Sequence, residues 1–441
     1  MANLGAILHK VKVISPIIVL KKLLRKPLTK YVNWRAKSID FNFPTYNRYS
    51  PTKTIECGIY KLDNIDENRI LELADDSLNH RFTLLGVERV HIALGKEYEG
   101  FEDIVFNPIL NEDFRHDKLI SRVVTQANLQ FAREAMFKIK KGYKNIDWQI
   151  DFKSGFRWIA RTWYKDIQYG KNNGADIKYP WELGRMQDLP ILAVAFKLTL
   201  QEKYLIEFQN RIYDFISLNP PRFGVQWSST MDISIRMVNL LVAFDIFNSF
   251  NAVITEQFKT DFSDLIQSHI AHIYNNLEWS EGMRGNHYFS NICGLLFACV
   301  YFANFEQRDE ILNFAFTEFE NEILYQFLDD GANFEASLPY HHFVFEMLAC
   351  TLLTLNNAKD ASIITLLIKL INKQNIKSRL ASIFQFTINT ITDLGKTPQI
   401  GDNDSGFWIH PTLLNKDQLV EDLIKLVNID TNFNKQEFAY F

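Results

Sequence analysis

The chain has 441 residues, of which 47% are hydrophobic and 18 and 12 are Gly and Pro. That length fits one large domain or two to three ordinary ones, and so apolar a chain excludes global disorder. Scarce breakers favour long helices over a strand-rich sandwich. A net charge of −4 gives no bulk attraction to nucleic acid.

In chain order, residues 1–40 read as a basic N-terminal arm. Lys10, Lys12, Lys21, Lys22, Arg25, Lys26 and Lys30 occur there, with no acid before residue 31. The apolar run Val13–Leu20 is too short to span a bilayer and lacks a small-residue cleavage site after it. The arm is read either as a solvated basic helix or as one that lies on an anionic membrane surface. Without an export signal, the sequence alone places the protein in the cytoplasm.

Residues 41–120 read as a helical lead-in. Apolar residues then recur at helical spacing: Ile70–Leu71–Ala74–Leu78, Val123–Ala127–Phe131–Ala135, Ile233–Val238–Leu241–Val242, Ile292–Leu295–Leu296–Cys299 and Ile363–Leu366–Leu367–Leu370. No solenoid period is present. The reading is a mainly α fold, an incomplete (α/α) toroid of helical hairpins over 121–415. A C-terminal helix and tail fill 416–441. Cys57, Cys293, Cys299 and Cys350 have no metal-site spacing and read as buried thiols.

Six segments between the apolar runs are rich in Trp, Arg, Asn, His, Tyr and Asp: Asp147–Gly155, Tyr179–Pro190, Asn219–Met231, Gly282–Asn291, Gly331–His342 and Gly401–Phe407. Such loops concentrate binding and chemistry. In GMRGNHYFSN, Asn286 and His287 precede an apolar helix. Side by side, an amide and an imidazole can neutralise a carboxylate; the structural alternative is that Asn286 caps the helix. In FEASLPYHHF, Tyr340 beside His341 and His342 forms an acid/base candidate, provided that positive charge lies near the phenol. Adjacent histidines diverge by roughly 100° on a helix, so this pair alone is a poor metal site.

Arg185, Arg222, Trp227, Arg236 and Glu335 are candidates for holding substrate. Arginine grips carboxylate or sulfate, and tryptophan stacks on sugar. The alternatives are buried Glu182–Arg185 and Asp232–Arg236 pairs that fasten helices. Asp402 and Asp404 lack the full calcium-loop pattern and read as an Asx-type turn. No metal or cofactor is expected.

Together IDWQIDFKSG, YPWELGRMQDL, NPPRFGVQWSSTMDISIR, GNHYFSN, FEASLPYHHFV and IGDNDSG, spread over residues 140–407, resemble the heparinase II/III-like polysaccharide lyases. The resemblance implies a helical toroid followed by a β-sandwich, action outside the cytoplasm, and β-elimination on an acidic, uronate-containing polysaccharide. It also implies that Asn286 and His287 neutralise the uronate carboxylate, that Tyr340 protonates the leaving oxygen, and that His341 assists. The family takes a further histidine, and in some members zinc, from its β-domain. Here only His410 follows His342 and no β-sandwich is read, so a separate β-sandwich partner chain is one expectation. The other is a non-catalytic glycan-binding or polysaccharide-assembly protein that keeps the toroid. A glycoside hydrolase using Glu335 and Asp402 is a third reading.

Overall fold

The computed structural model describes residues 16–49, 65–98, 100, 116–170, 174–280, 284–391, 398–404 and 406–428. Lys10, Lys12, Cys57 and the tail beyond 428 lie outside them.

Helix α1 (Pro16–Asn42) leads in, followed by α2 (Glu67–Leu78), whose N-cap Asp66 accepts the Arg69 amide. The lead-in is not wholly helical. Strands β1 (Arg81–Leu84) and β2 (Val87–His91) pair antiparallel across a tight turn in which Leu85 and Gly86 both take left-handed φ, 48° and 79°. Such a turn matches the twist of a hairpin, which is why one forms there.

The spacing Val123–Ala135 predicts one helix, but the chain forms two. Helix α3 (His116–Val123) ends before Thr125, which is extended, and α4 (Leu129–Lys138) begins after a single 3₁₀ turn. Then come α5 (Lys178–Gly184), α6 (Leu189–Thr199), α7 (Glu202–Leu218), α8 (Thr230–Ser249), α9 (Glu256–Asn275), α10 (Asn286–Tyr301), α11 (Arg308–Gln326), α12 (Leu338–Asn356), α13 (Ala361–Ile371), α14 (Gln374–Asn389) and α15 (Lys416–Val427).

Helices α6, α8, α10 and α12 pack side by side in that order, and α7, α9 and α11 return the chain between them. This alternation is the hairpin arrangement of an α/α toroid. The inner helices are apolar all round and correspondingly buried, as helices inside a large core must be. In α8 every residue from Thr230 to Phe247 is buried, and in α10 every residue except His287. The outer helices α7 and α9 bury one face more heavily than the other. Cys293, Cys299 and Cys350 are buried free thiols in the inner helices.

Because each outer helix carries the chain back, the inner helices begin at one shared rim. Hydrogen bonds between neighbouring starts fix that end. Glu278, just before α10, accepts the Met231 amide of α8, and Glu335, just before α12, accepts the Asn286 amide of α10. Several segments expected as loops are therefore partly helix. Residues 286–291 belong to α10, 338–342 to α12, and most of 179–190 to α5 and α6.

Candidate functional site

The rim is built from helix starts. Ser229 caps α8 and Ser337 caps α12, each accepting an amide three residues on. Free amides at such ends give a positive partial charge, suited to an anionic ligand. Gly401 has φ +87°, and a Cβ there would lie 2.7 Å from Ser337 Cα. That contact seats the 398–404 segment on the α12 start, where Leu338 donates to the Ile400 carbonyl.

Asn286 is the first residue of α10, and Gly285 occupies the cap position without a side-chain bond. The amide of Asn286 therefore does not cap the helix. Its Nδ2 donates to both oxygens of Glu335, at 3.1 and 2.9 Å, and its backbone N–H reaches Oε1 at 2.8 Å. A Cβ on Gly285 would meet the same Oε1 at 2.8 Å, so a larger residue there would push the Glu335 carboxylate aside.

His287 alone on α10 turns to solvent. Its Nδ1 lies 3.2 Å from Glu278 Oε1, which leaves Nε2 facing outward. Although the side chain is about half exposed, the loss of water where it packs on the rim works against the charged imidazole, and the hydrogen bond and charge of Glu278 outweigh it. Asp232 adds to the effect and Arg185 opposes it; the net pKa is raised. Glu278 is itself held by the Met231 and Asn291 contacts, its backbone N–H donating to Asn291 Oδ1.

Tyr340 donates to Asp404 Oδ2 at 2.7 Å, and Lys178 Nζ meets Asp404 Oδ1 at 2.6 Å. Work as a base at neutral pH would need positive charge beside this phenol. The structure puts carboxylates there instead. Burial, then Asp404, then Asp402 and Glu335 push the phenol pKa well up, so Tyr340 keeps its proton at neutral pH. Asp404 is not free to make a calcium site with Asp402, whose Oδ1 accepts the Asn403 amide.

Arg185 sits at the centre of the rim, buried, with Nη1 2.6 Å from Glu182 and Nε 2.6 Å from Asp232. Burial pushes Glu182 up to about 7, although Arg185 pulls the other way. Asn286, His287, Tyr340, Arg185 and Glu335 are thus brought together in one electrostatically linked cluster.

Five other candidate residues are not part of it. His341 turns into the interior, where Nε2 meets the Thr387 hydroxyl at 2.9 Å and burial lowers its pKa to about 3. His342 likewise meets Thr390. Trp227, expected in the cleft, is fully buried against His269 and His272, and its indole N–H donates to the Asn219 carbonyl at 3.0 Å. Arg236 is also fully buried. It neither grips substrate nor pairs with Asp232; it donates to His269 Nε2 and to the Gly184 and Gln226 carbonyls. Desolvation without a bonded carboxylate lowers its pKa to about 9. Arg222 is tied to Asp40 of α1 at 2.8 Å.

Glu278, Lys178 and Asp404 are partners that spacing did not reveal, because each meets its partner across loops. Among the described residues no group of three or more His, Cys, Asp or Glu is placed to hold a metal. A cavity of about 420 Å³ lies elsewhere, lined by Trp148, Arg157, Trp158 and Asn219 among others and by none of the predicted site residues.

No curated protein sequence matches this chain. The heparan sulfate lyase HepC from Pedobacter heparinus is similar in structure at TM-score 0.40 and 18% identity, over 75% of this chain and 44% of that one. A crystal structure of Heparinase III is similar at TM-score 0.42 and 17% identity, over 77% and 48%. The chain thus spans less than half the length of either solved lyase. The family model described as Heparinase II/III N-terminus matches residues 107–406, two-thirds of the sequence and every part of the rim, and the chain belongs to that family.

Proposed function

We propose that the rim is the carboxylate-binding and proton-donating side of a lyase that cleaves a uronate-containing polysaccharide by β-elimination. The observation that carries this reading is the meeting of Asn286, His287 and a protonated Tyr340 at the shared start of α10 and α12. The family gives the reaction class, and the geometry suits it as follows.

The C5 proton passes to a base from outside the rim, in the place of the histidine that the family takes from its β-domain, and its loss builds enolate-like charge on the uronate carboxyl group. Donors fixed beside that group stabilise the charge as it develops. Asn286 and the Glu278-paired imidazolium of His287 are such donors, backed by the helix starts. Glu335 holds the Asn286 donors in the free protein, so the substrate carboxylate takes over a place that a carboxylate already fills. Tyr340, kept protonated by burial and by Asp404, then gives its proton to the departing 4-oxygen. The C4–O4 bond breaks and its electron pair leaves with that oxygen. His341 and His342 face the interior and are assigned no part in removing the C5 proton.

The test is incubation with a panel of uronate polymers, followed by ultraviolet absorbance of the 4,5-unsaturated end. Tyr340→Phe should lower the rate by about 10²–10⁴-fold, the range for a positioned general acid, with the thermal unfolding profile unchanged. Turnover that survives the substitution would remove the assigned mechanism. Glycan binding with no unsaturated product under any condition would favour the non-catalytic binding reading, and saturated product ends would favour hydrolysis.

A further inference from the structure

We infer that α1 is an interfacial helix that docks the protein on an anionic lipid surface. The inference rests on the helix itself and is independent of the proposed reaction. One face of α1 is fastened to the protein body. Asp40 takes Arg222 and the Trp163 indole N–H, Lys37 takes Asp166, and Phe41 packs edge-on against Phe223. Residues 33, 37 and 40 lie on that side of the helix.

Among the described residues the opposite side has no such partner. Leu28, Tyr31, Val32, Arg35 and Ile39 follow i, i+3, i+4, i+7, i+11 spacing, which sets them within about 100° of arc. All five are exposed, Leu28 at 63% and Val32 at 54%. Trp34 flanks the row at 65% exposure, its ring 6.0 Å from that of Tyr31, and Phe43 follows at 63%. A soluble protein rarely leaves so many large apolar side chains in one continuous patch.

Charge selects the occupant. Over Pro16–Asn42 the sequence has Lys21, Lys22, Arg25, Lys26, Lys30, Arg35 and Lys37 against Asp40 alone; with Lys37 paired to Asp166 and Asp40 to Arg222, six cations and no acid remain. Aliphatic residues on a helix with Trp34 and Tyr31 beside them and Arg35 among them, in a segment whose sequence is rich in lysine and arginine, match the composition of an anionic membrane interface. A second copy docked symmetrically on this face would set Arg35 against its own copy. An acidic polysaccharide would satisfy the charges but gives Leu28, Val32 and Ile39 nothing apolar to enter. Among the described residues no helix is long and apolar enough to cross a membrane, so the helix lies on the surface.

The test is co-sedimentation of the full chain with vesicles of phosphatidylcholine alone and of phosphatidylcholine mixed with phosphatidylserine. Binding to the mixed vesicles should exceed that to the neutral ones by about tenfold or more and fall as salt is raised. The variant Leu28→Ser/Val32→Ser/Ile39→Ser should lower binding to mixed vesicles by about tenfold or more, while retention on heparin-agarose stays unchanged. Vesicles with brominated acyl chains should quench wild-type fluorescence more than that of Trp34→Phe. Because these side chains are exposed, circular dichroism should show the variants folded. Failure to bind mixed vesicles, or equal binding to both kinds, would overturn the inference. So would a triple variant that keeps vesicle binding but loses heparin retention, or one whose main effect is to dissolve a dimer.

Discussion

Only one side chain of α10 points to solvent, and it is the imidazole at the rim. Its state depends on Glu278, nine positions earlier, which raises the His287 pKa above the ordinary value. A group with a raised folded pKa is charged over a wider range. The imidazolium is fully present below the ordinary histidine pKa and is lost as pH rises through the raised one. If that cation neutralises the uronate, turnover should fall on the alkaline side of that limb. Glu278→Gln removes the negative charge while keeping a hydrogen-bond acceptor. The limb should then move to lower pH, with the acidic side little changed. A rate–pH profile on a uronate polymer reads this directly, and an unmoved limb would separate Glu278 from the chemistry. The pair His287–Tyr340 was legible because both residues lie in short polar stretches beside apolar runs. Glu278 was not, since no local spacing links it to His287.

At the scale of elements, helical periodicity reveals the inner helices but not where polar residues on them point. Chemical type alone suggests the cleft for Trp227, and for Arg236 either the cleft or a buried pair with Asp232. Tertiary packing instead stacks Arg236 under Trp227, with Cζ 5.6 Å from the ring centroid, and Phe215 at 4.6 Å on another side. Asp232 and Arg236 are four apart, a spacing that favours a pair on an isolated helix. Arg185, arriving from the turn before α6, takes Asp232 instead. Spacing within one helix cannot anticipate a competitor from another. The β1–β2 hairpin was also missed, because four or five residues give too short a pattern to separate strand from helix. The buried position of Trp227 makes a clear prediction. Trp227→Ala should cost about 3–5 kcal/mol of stability, the range for large aromatic truncations in a core. It should lower the thermal midpoint while leaving the affinity of the folded protein for acidic polysaccharide unchanged. A change of affinity without loss of stability would restore the cleft reading.

Over the whole molecule, the helical arc holds an unusual set of buried histidines. Burial pushes His272 and His341 down to about 3, His342 to about 2 and His410 to about 4. Each is neutral in the fold and would charge in the unfolded chain below about pH 6.5. The unfolded state then binds more protons, so these groups make stability fall as pH drops from about 6.5 towards the folded values. Glu182, raised to about 7, acts the opposite way: the fold keeps a proton there that the unfolded chain loses near pH 4.5. The net slope is a balance between the two, so the test is a difference between variants. His342→Gln preserves a polar partner for Thr390 but removes one titrating group. Between pH 6.5 and 4 its thermal midpoint should fall less steeply than that of the parent, by about 1 kcal/mol per pH unit in stability, since one proton per unit corresponds to about 1.4 kcal/mol at full difference. Glu182→Gln should steepen the same slope. Parallel pH profiles for all three proteins would show that His342 and Glu182 do not set the acid limit of the fold.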